Sequence, residues 1–282
     1  MNNSDCLISV SELAKTLPDS VVFDCRAWLT DPDRAAQAFD EGHIPGAQRL
    51  DLETELSGPH TGLNGRHPLP GYHAFETRLR AAGVDDNTPI VLYDASRPAG
   101  AARAWWLLKY FGHTNARVLD GGLAAWAAAG KRIERGEARV TDSGSVHLAP
   151  GKTELTINLA GLQRQLRRKQ KDVIDAREPD RYHGISEPID PVAGRIPGAV
   201  NLPWTEVLDA AGHFLSADGI RKRWAALPIG KQPVVYCGSG VTACVLSLSR
   251  AVAGLGDVRL YPGGFSEWSA DMSRTIETDL AD

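Results

Sequence analysis

A chain of 282 residues is long for one compact domain and comfortable for two of ordinary size. Its 43% hydrophobic and 23% charged residues are globular in balance, and a net charge of -4 excludes nucleic acid or an anionic membrane as a general partner. No apolar run reaches the roughly eighteen residues of a membrane span, and Met1-Asn2-Asn3-Ser4-Asp5 lacks the regions of a secretory signal, so a cytoplasmic protein is expected.

The first strand-like run, Val21-Val22-Phe23, leads into Asp24-Cys25-Arg26, with Trp28 close behind. Gly42-His43-Ile44-Pro45-Gly46-Ala47 follows, and residues 89–93 read as a buried strand ending at Asp94. A helix is predicted over 100–111, carrying Trp105 and Trp106, and another strand over 117–119. Alternation of strand and helix favours α/β architecture, a mostly parallel sheet with helices on both faces and ligands at the carboxyl ends of strands. Residues 136–152 hold Gly, Ser, Asp and Pro without sustained apolar periodicity. They predict a connector, placed at 141–153, between domains at 1–140 and 154–282.

The second half repeats the first. Asp24-Cys25-Arg26 is matched by Asp175-Ala176-Arg177, Gly42-His43-Ile44-Pro45-Gly46-Ala47 by Gly194-Arg195-Ile196-Pro197-Gly198-Ala199, and Gly121-Gly122 with Trp126 by Gly263-Gly264 with Trp268. The strand ending at Asp94 aligns with Val234-Val235-Tyr236, which ends at Cys237. Four collinear blocks at so long a period indicate duplicated domains, not a solenoid.

Cys237 opens the run Cys237-Gly238-Ser239-Gly240-Val241-Thr242 before a predicted helix. Two glycines in such a loop let successive N–H groups turn inward as an anion nest, and the helix adds its positive end. Both effects make a cysteine nucleophilic. Cys6, Cys25 and Cys244 lack that setting, and with no C-x-x-C pair all four are expected as reduced thiols. Cys244 reads as core on the helix, as do Trp105, Trp106, Trp126 and Trp268. His60, His67 and His73 have no ligand-like companions, and neither a metal nor an organic cofactor is expected.

These blocks closely resemble the tandem-domain rhodanese family of sulfurtransferases over nearly the whole chain. The resemblance rests on His43 to Ala47, its partner at Arg195 to Ala199, and the Cys237 loop. It implies that the second copy is catalytic, and that the first, with Asp94 in place of cysteine, is an inactive duplicate forming part of a cleft wall. The implied reaction is ping-pong: the Cys237 thiolate takes sulfur from 3-mercaptopyruvate or thiosulfate, then yields it to cyanide or a thiol, a thioredoxin-like dithiol among the candidates. A monomer is expected.

The loop residues Gly238, Gly240, Val241 and Thr242 are uncharged, as in mercaptopyruvate-preferring members of the family, and disfavour a strongly thiosulfate-tuned site. Arg181 matches one of two arginines with which such members grip the donor. The second is expected where this chain has Ile189-Asp190-Pro191, with Arg195 a candidate to supply the charge from elsewhere. The resemblance also implies a relay of Ser239, His43 and an acid, here Asp33, with Asp31 and Asp40 as alternatives. It places Trp28 on the pocket wall, and Arg66-His67 in the long loop of the first copy could edge the cleft. A phosphatase is disfavoured, because the sixth residue after Cys237 is Ala243 rather than arginine. A thiosulfate-preferring enzyme and a persulfide carrier without turnover are the alternative readings.

Overall fold

The computed structural model describes residues 6–28, 31–138, 142–167, 172–230 and 233–279. Residues 1–5, on which the reading of the chain's start rests, and position 141 of the expected linker lie outside the described residues. There are two compact units. The first comprises Met1–Gly58, Pro70–Lys152 and Leu208–Phe214, the second Pro59–Leu69, Thr153–Val207 and Leu215–Asp282.

The first unit runs β1 (Leu7–Ile8), α1 (Val10–Thr16), β2 (Val21–Asp24), α2 (Pro32–Glu41), β3 (Gln48–Arg49), α3 (Tyr72–Ala81), β4 (Ile90–Tyr93), α4 (Ala99–Tyr110), β5 (Ala116–Leu119) and α5 (Gly122–Ala128). Its sheet has the order β1-β5-β4-β2-β3, and every pairing is parallel. All four residues of β4 are buried, as a central strand covered on both faces requires, and this is why it reads as an unbroken apolar run. Helix boundaries follow local chemistry. Ser9 and Glu12 form a reciprocal cap on α1, and Asp31 caps α2, which has Pro32 in its first turn.

The second unit runs α6 (Leu159–Arg167), β6 (Val173–Asp175), α7 (Pro179–His183), β7 (Val200–Asn201), α8 (Ala217–Ala225), β8 (Val234–Tyr236), α9 (Ala243–Val252), β9 (Arg259–Leu260) and α10 (Gly264–Ser269). Its parallel sheet is ordered β7-β6-β8-β9. The amide of Ile157 donates to Leu260 O and extends the β9 edge where the first unit has β1.

The expected linker is not a free connector. Gly144 N donates to Arg80 O (2.8 Å), Val146 N to Val84 O (3.0 Å) and Lys152 N to Tyr110 O (3.1 Å), so the first unit extends to Lys152 instead of ending at 140. Backbone groups need partners even where no hydrophobic period announces them.

The repeated sequence blocks build the same device in each unit. Arg26 grips Asp24 and the carbonyls of Ala38 and Gly42, while Tyr93 donates to Asp24 (2.7 Å) and accepts from Ile44 N. Arg177 likewise grips Asp175 and Gly194 O, and Tyr236 accepts from Ile196 N. Each arrangement pins an Ile-Pro-Gly-Ala turn to the carboxyl end of the sheet. Trp126 and Trp268 pack in the respective cores, and Trp105 and Trp106 are buried as well.

Candidate active site

Cys237 leaves the carboxyl end of β8, and its thiol is buried. Its carbonyl accepts from Phe265 N (2.8 Å) and that of Gly238 from Ser266 N (2.9 Å), which ties the loop to α10. Gly240 has φ +76°, and a Cβ there would stand 2.6 Å from Pro262 O, so position 240 requires glycine both for conformation and for space. Among the described residues, the amides of Gly238, Ser239, Val241 and Thr242 donate to no acceptor. Gly238, Ser239 and Val241 are buried and Thr242 half-buried at the start of α9, so the loop presents costly unsatisfied donors that an anion would satisfy. Cys244, the second residue of α9, instead donates its thiol to Gly240 O (3.3 Å).

Two guanidinium groups stand at Gly238. A Cβ built on that glycine would lie 3.0 Å from Arg66 Nη2 and 3.4 Å from Arg181 Nη2. Arg181 is clamped by Glu187, with Nε to Oε2 at 2.9 Å and Nη2 to Oε1 at 2.7 Å, and Nη2 also reaches Asp190 Oδ2 at 3.0 Å. The other oxygen of Asp190 accepts from Arg66 Nη1 at 2.8 Å. Burial works to raise the Glu187 carboxyl, but the hydrogen bonds from Arg181 and from the Asp190 amide prevail and hold it below its ordinary range.

Ser239 Oγ lies 2.6 Å from His67 Nδ1, and both side chains are buried. The histidine bonded to Ser239 is therefore His67, not the expected His43. His43 is stacked on Phe39 within the first unit, with Nδ1 2.9 Å from Phe39 O. No carboxylate among the described residues bonds the His43 ring. Asp31 caps α2, and Asp33 and Asp40 are exposed on the same helix. Trp28 is half-buried beneath the Arg34 guanidinium.

Arg195 is likewise engaged away from the loop: Nη2 reaches Glu277 (2.7 Å) and Asp279 (2.6 Å), and the guanidinium lies over Tyr182. The reason is the duplicated turn. His43 and Arg195 each pair their backbone with a glutamate, Glu134 and Glu277, whose carboxylate also caps Gly46 N or Gly198 N. The sequence offered Arg66 and His67 only as a segment that could edge the cleft, with no partner for either. Its signals were a cation and a histidine held between Gly65 and Pro68 in a loop that the second copy lacks.

A family model described as "Rhodanese-like domain" matches residues 9–129 and again 159–271. A protein of Pseudomonas aeruginosa named "Probable 3-mercaptopyruvate sulfurtransferase" is 43% identical over 279 residues, covering 96% of this chain and 98% of its own. One of Mycobacterium tuberculosis, "Putative thiosulfate sulfurtransferase SseB", is 40% identical over 280 residues, covering 96% of each. The crystal structure of SseA from Escherichia coli, described as a 3-mercaptopyruvate sulfotransferase of rhodanese fold, superposes with a TM-score of 0.82 at 31% identity, covering 93% of this chain and 99% of that one. Two domains of the family in one chain, with relatives of this identity over nearly their full length, leave one conclusion: the chain belongs to the rhodanese family and is a tandem-domain sulfurtransferase.

Proposed function

We propose that Cys237 carries sulfur as a persulfide, taken from 3-mercaptopyruvate in preference to thiosulfate and passed to cyanide or a thiol. The supporting observation is the buried loop after Cys237, where the amides of Gly238, Ser239, Val241 and Thr242 have no acceptor among the described residues and two guanidinium groups stand at Gly238. Amides of this kind suit a thiolate and a persulfide anion equally, so one loop serves both halves of a ping-pong cycle.

In the first half, the Cys237 thiolate attacks the sulfur of the donor, an S–S bond forms and the C–S bond breaks. Its electron pair leaves as the enolate of pyruvate, which takes up one proton to become pyruvate. His67 and Ser239, in hydrogen-bond contact, are the pair we assign to that proton. The sulfur then moves to the acceptor, and Cys237 is regenerated as thiolate. With thiosulfate the same attack releases sulfite, and no carbon needs protonation.

The test is intact-mass analysis after separate incubation with each donor. The expected result is a gain of one sulfur on the Cys237 peptide, discharged by cyanide or a dithiol and absent in Cys237→Ser. A persulfide that persists in Cys237→Ser would remove Cys237 from the reaction.

A further inference from the structure

Beside the Cys237 loop, three arginines and three carboxylates form one connected cluster. Arg177 pairs with Asp175 and Glu187, Arg181 with Glu187 and Asp190, and Arg66 with Asp190. The carboxylate side chains are all but fully buried, at 0%, 2% and 1% exposed for Asp175, Glu187 and Asp190. Their charges therefore act on the arginines at close range with little screening, and the formal charges of the six groups cancel. The cluster offers an anion directed N–H groups and little net positive field.

Those N–H groups are unevenly used. Among the described residues, Arg181 Nη1 and Arg66 Nη2 donate to no acceptor, and Arg66 Nε is buried without a partner. Asp190 gives one oxygen to each guanidinium and so fixes the two side by side. The segment bearing Arg66 is itself fastened. Arg66 N donates to Ser266 Oγ (3.0 Å), and Gly65, at φ +80°, presses so close to Gly263 that a Cβ would stand 2.4 Å from its carbonyl oxygen. Arg66 thus supplies a second guanidinium from a segment far removed in sequence, at a site where position 190 holds an acid.

We infer that Arg66 and Arg181, joined by Asp190, seat the carboxylate of a singly charged sulfur donor, and that Asp190 makes the site prefer such a donor over a doubly charged one. A planar carboxylate matches the spare N–H groups of paired guanidiniums. Asp190 repels a dianion about twice as strongly as a monoanion at the same distance. Arg66 is a binding residue in this scheme and Asp190 a positioning residue acting through the two arginines. The inference rests on Cys237 as the sulfur carrier.

Steady-state kinetics with 3-mercaptopyruvate and thiosulfate test it, with KM and kcat read separately. Asp190→Asn keeps the shape and removes one negative charge, and should raise the ratio of kcat/KM for thiosulfate to that for 3-mercaptopyruvate by about 10-fold, mainly through KM. Arg66→Gln removes half of the carboxylate seat and should raise KM for 3-mercaptopyruvate by about 10-fold with kcat little changed, and Arg66→Lys should recover part of that loss. An unchanged ratio in folded Asp190→Asn overturns the inference. Should that variant fail to fold, Arg66→Gln decides alone, and an unchanged KM for 3-mercaptopyruvate overturns it. Failure of the wild type to form a persulfide with either donor would instead overturn the assignment of Cys237, and this inference with it.

Discussion

The ends of β4 and β8 hold the same backbone device with different contents. After β4, Asp94 turns its carboxylate back into its own loop and accepts from Ala95 N and Gly100 N, each at 2.8 Å. After β8, the amides of Gly238, Ser239, Val241 and Thr242 donate to no acceptor among the described residues. Burial pushes Asp94 up to about 7 in spite of its amide bonds. In the second unit, two guanidiniums stand at Gly238.

Installing the content of one loop in the other gives the largest expected effect. Cys237→Asp should fill the second loop from within and abolish sulfur loading from either donor, a loss on the order of 10³-fold or more in turnover, since covalent catalysis has no substitute nucleophile. Residual turnover above about one percent of wild type would mean that another thiol carries the sulfur. Cys244 is the nearest in sequence, and Cys237→Asp combined with Cys244→Ala would identify it.

A second break in the comparison lies in the side chain three residues beyond each strand end, where Ser239 has a histidine partner. Ser239→Ala and His67→Gln should each lower kcat for 3-mercaptopyruvate by roughly 10²-fold, the lower range for a positioned proton donor. Thiosulfate turnover should fall much less, because sulfite departs without carbon protonation. Equal losses on both donors would assign the pair to holding the loop instead of moving a proton. The same measurement on His43→Gln separates the two histidines, and a donor-selective loss there would restore His43 to the relay.

The duplication was legible from sequence because its blocks recur in order, and Cys237 stood out as the proposed sulfur carrier because the first copy has Asp94 in its place. What misled was the relay that the resemblance carried onto His43, and the charge looked for at its counterpart Arg195. His43 and Arg195 occupy matched positions, and matched positions in a duplicated chain report the shared scaffold, here the turn pinned by Glu134 or Glu277. Arg66 and His67 lie in an irregular loop with neither a helical nor a strand period. Their partners Asp190 and Ser239 are 124 and 172 residues away, a pairing that only the folded chain makes visible. The acid at 190 reads as a missing cation in sequence, whereas in the structure it is the link between two cations.

The smallest effect sharpens the comparison from the side of the Asp94 loop. The Asp94 carboxyl is raised from 3.8 to about 7 in the folded protein, chiefly by burial. Between these values the native state binds more protons than the unfolded one, so its stabilising contribution is complete below about pH 4 and is lost as pH rises through about 7. An asparagine at this position does not titrate. The melting temperature of Asp94→Asn should therefore match wild type near pH 4 and exceed it by a few degrees near pH 8, taking each kcal/mol as about 2 to 4 °C for a domain of this size. A difference that is flat across this range, or that grows toward acid, would mean that the amides of Ala95 and Gly100 hold Asp94 ionised throughout. The first loop would then be as competent an anion seat as the second, and the guanidiniums of Arg66 and Arg181 would have to be explained by recognition of the donor alone.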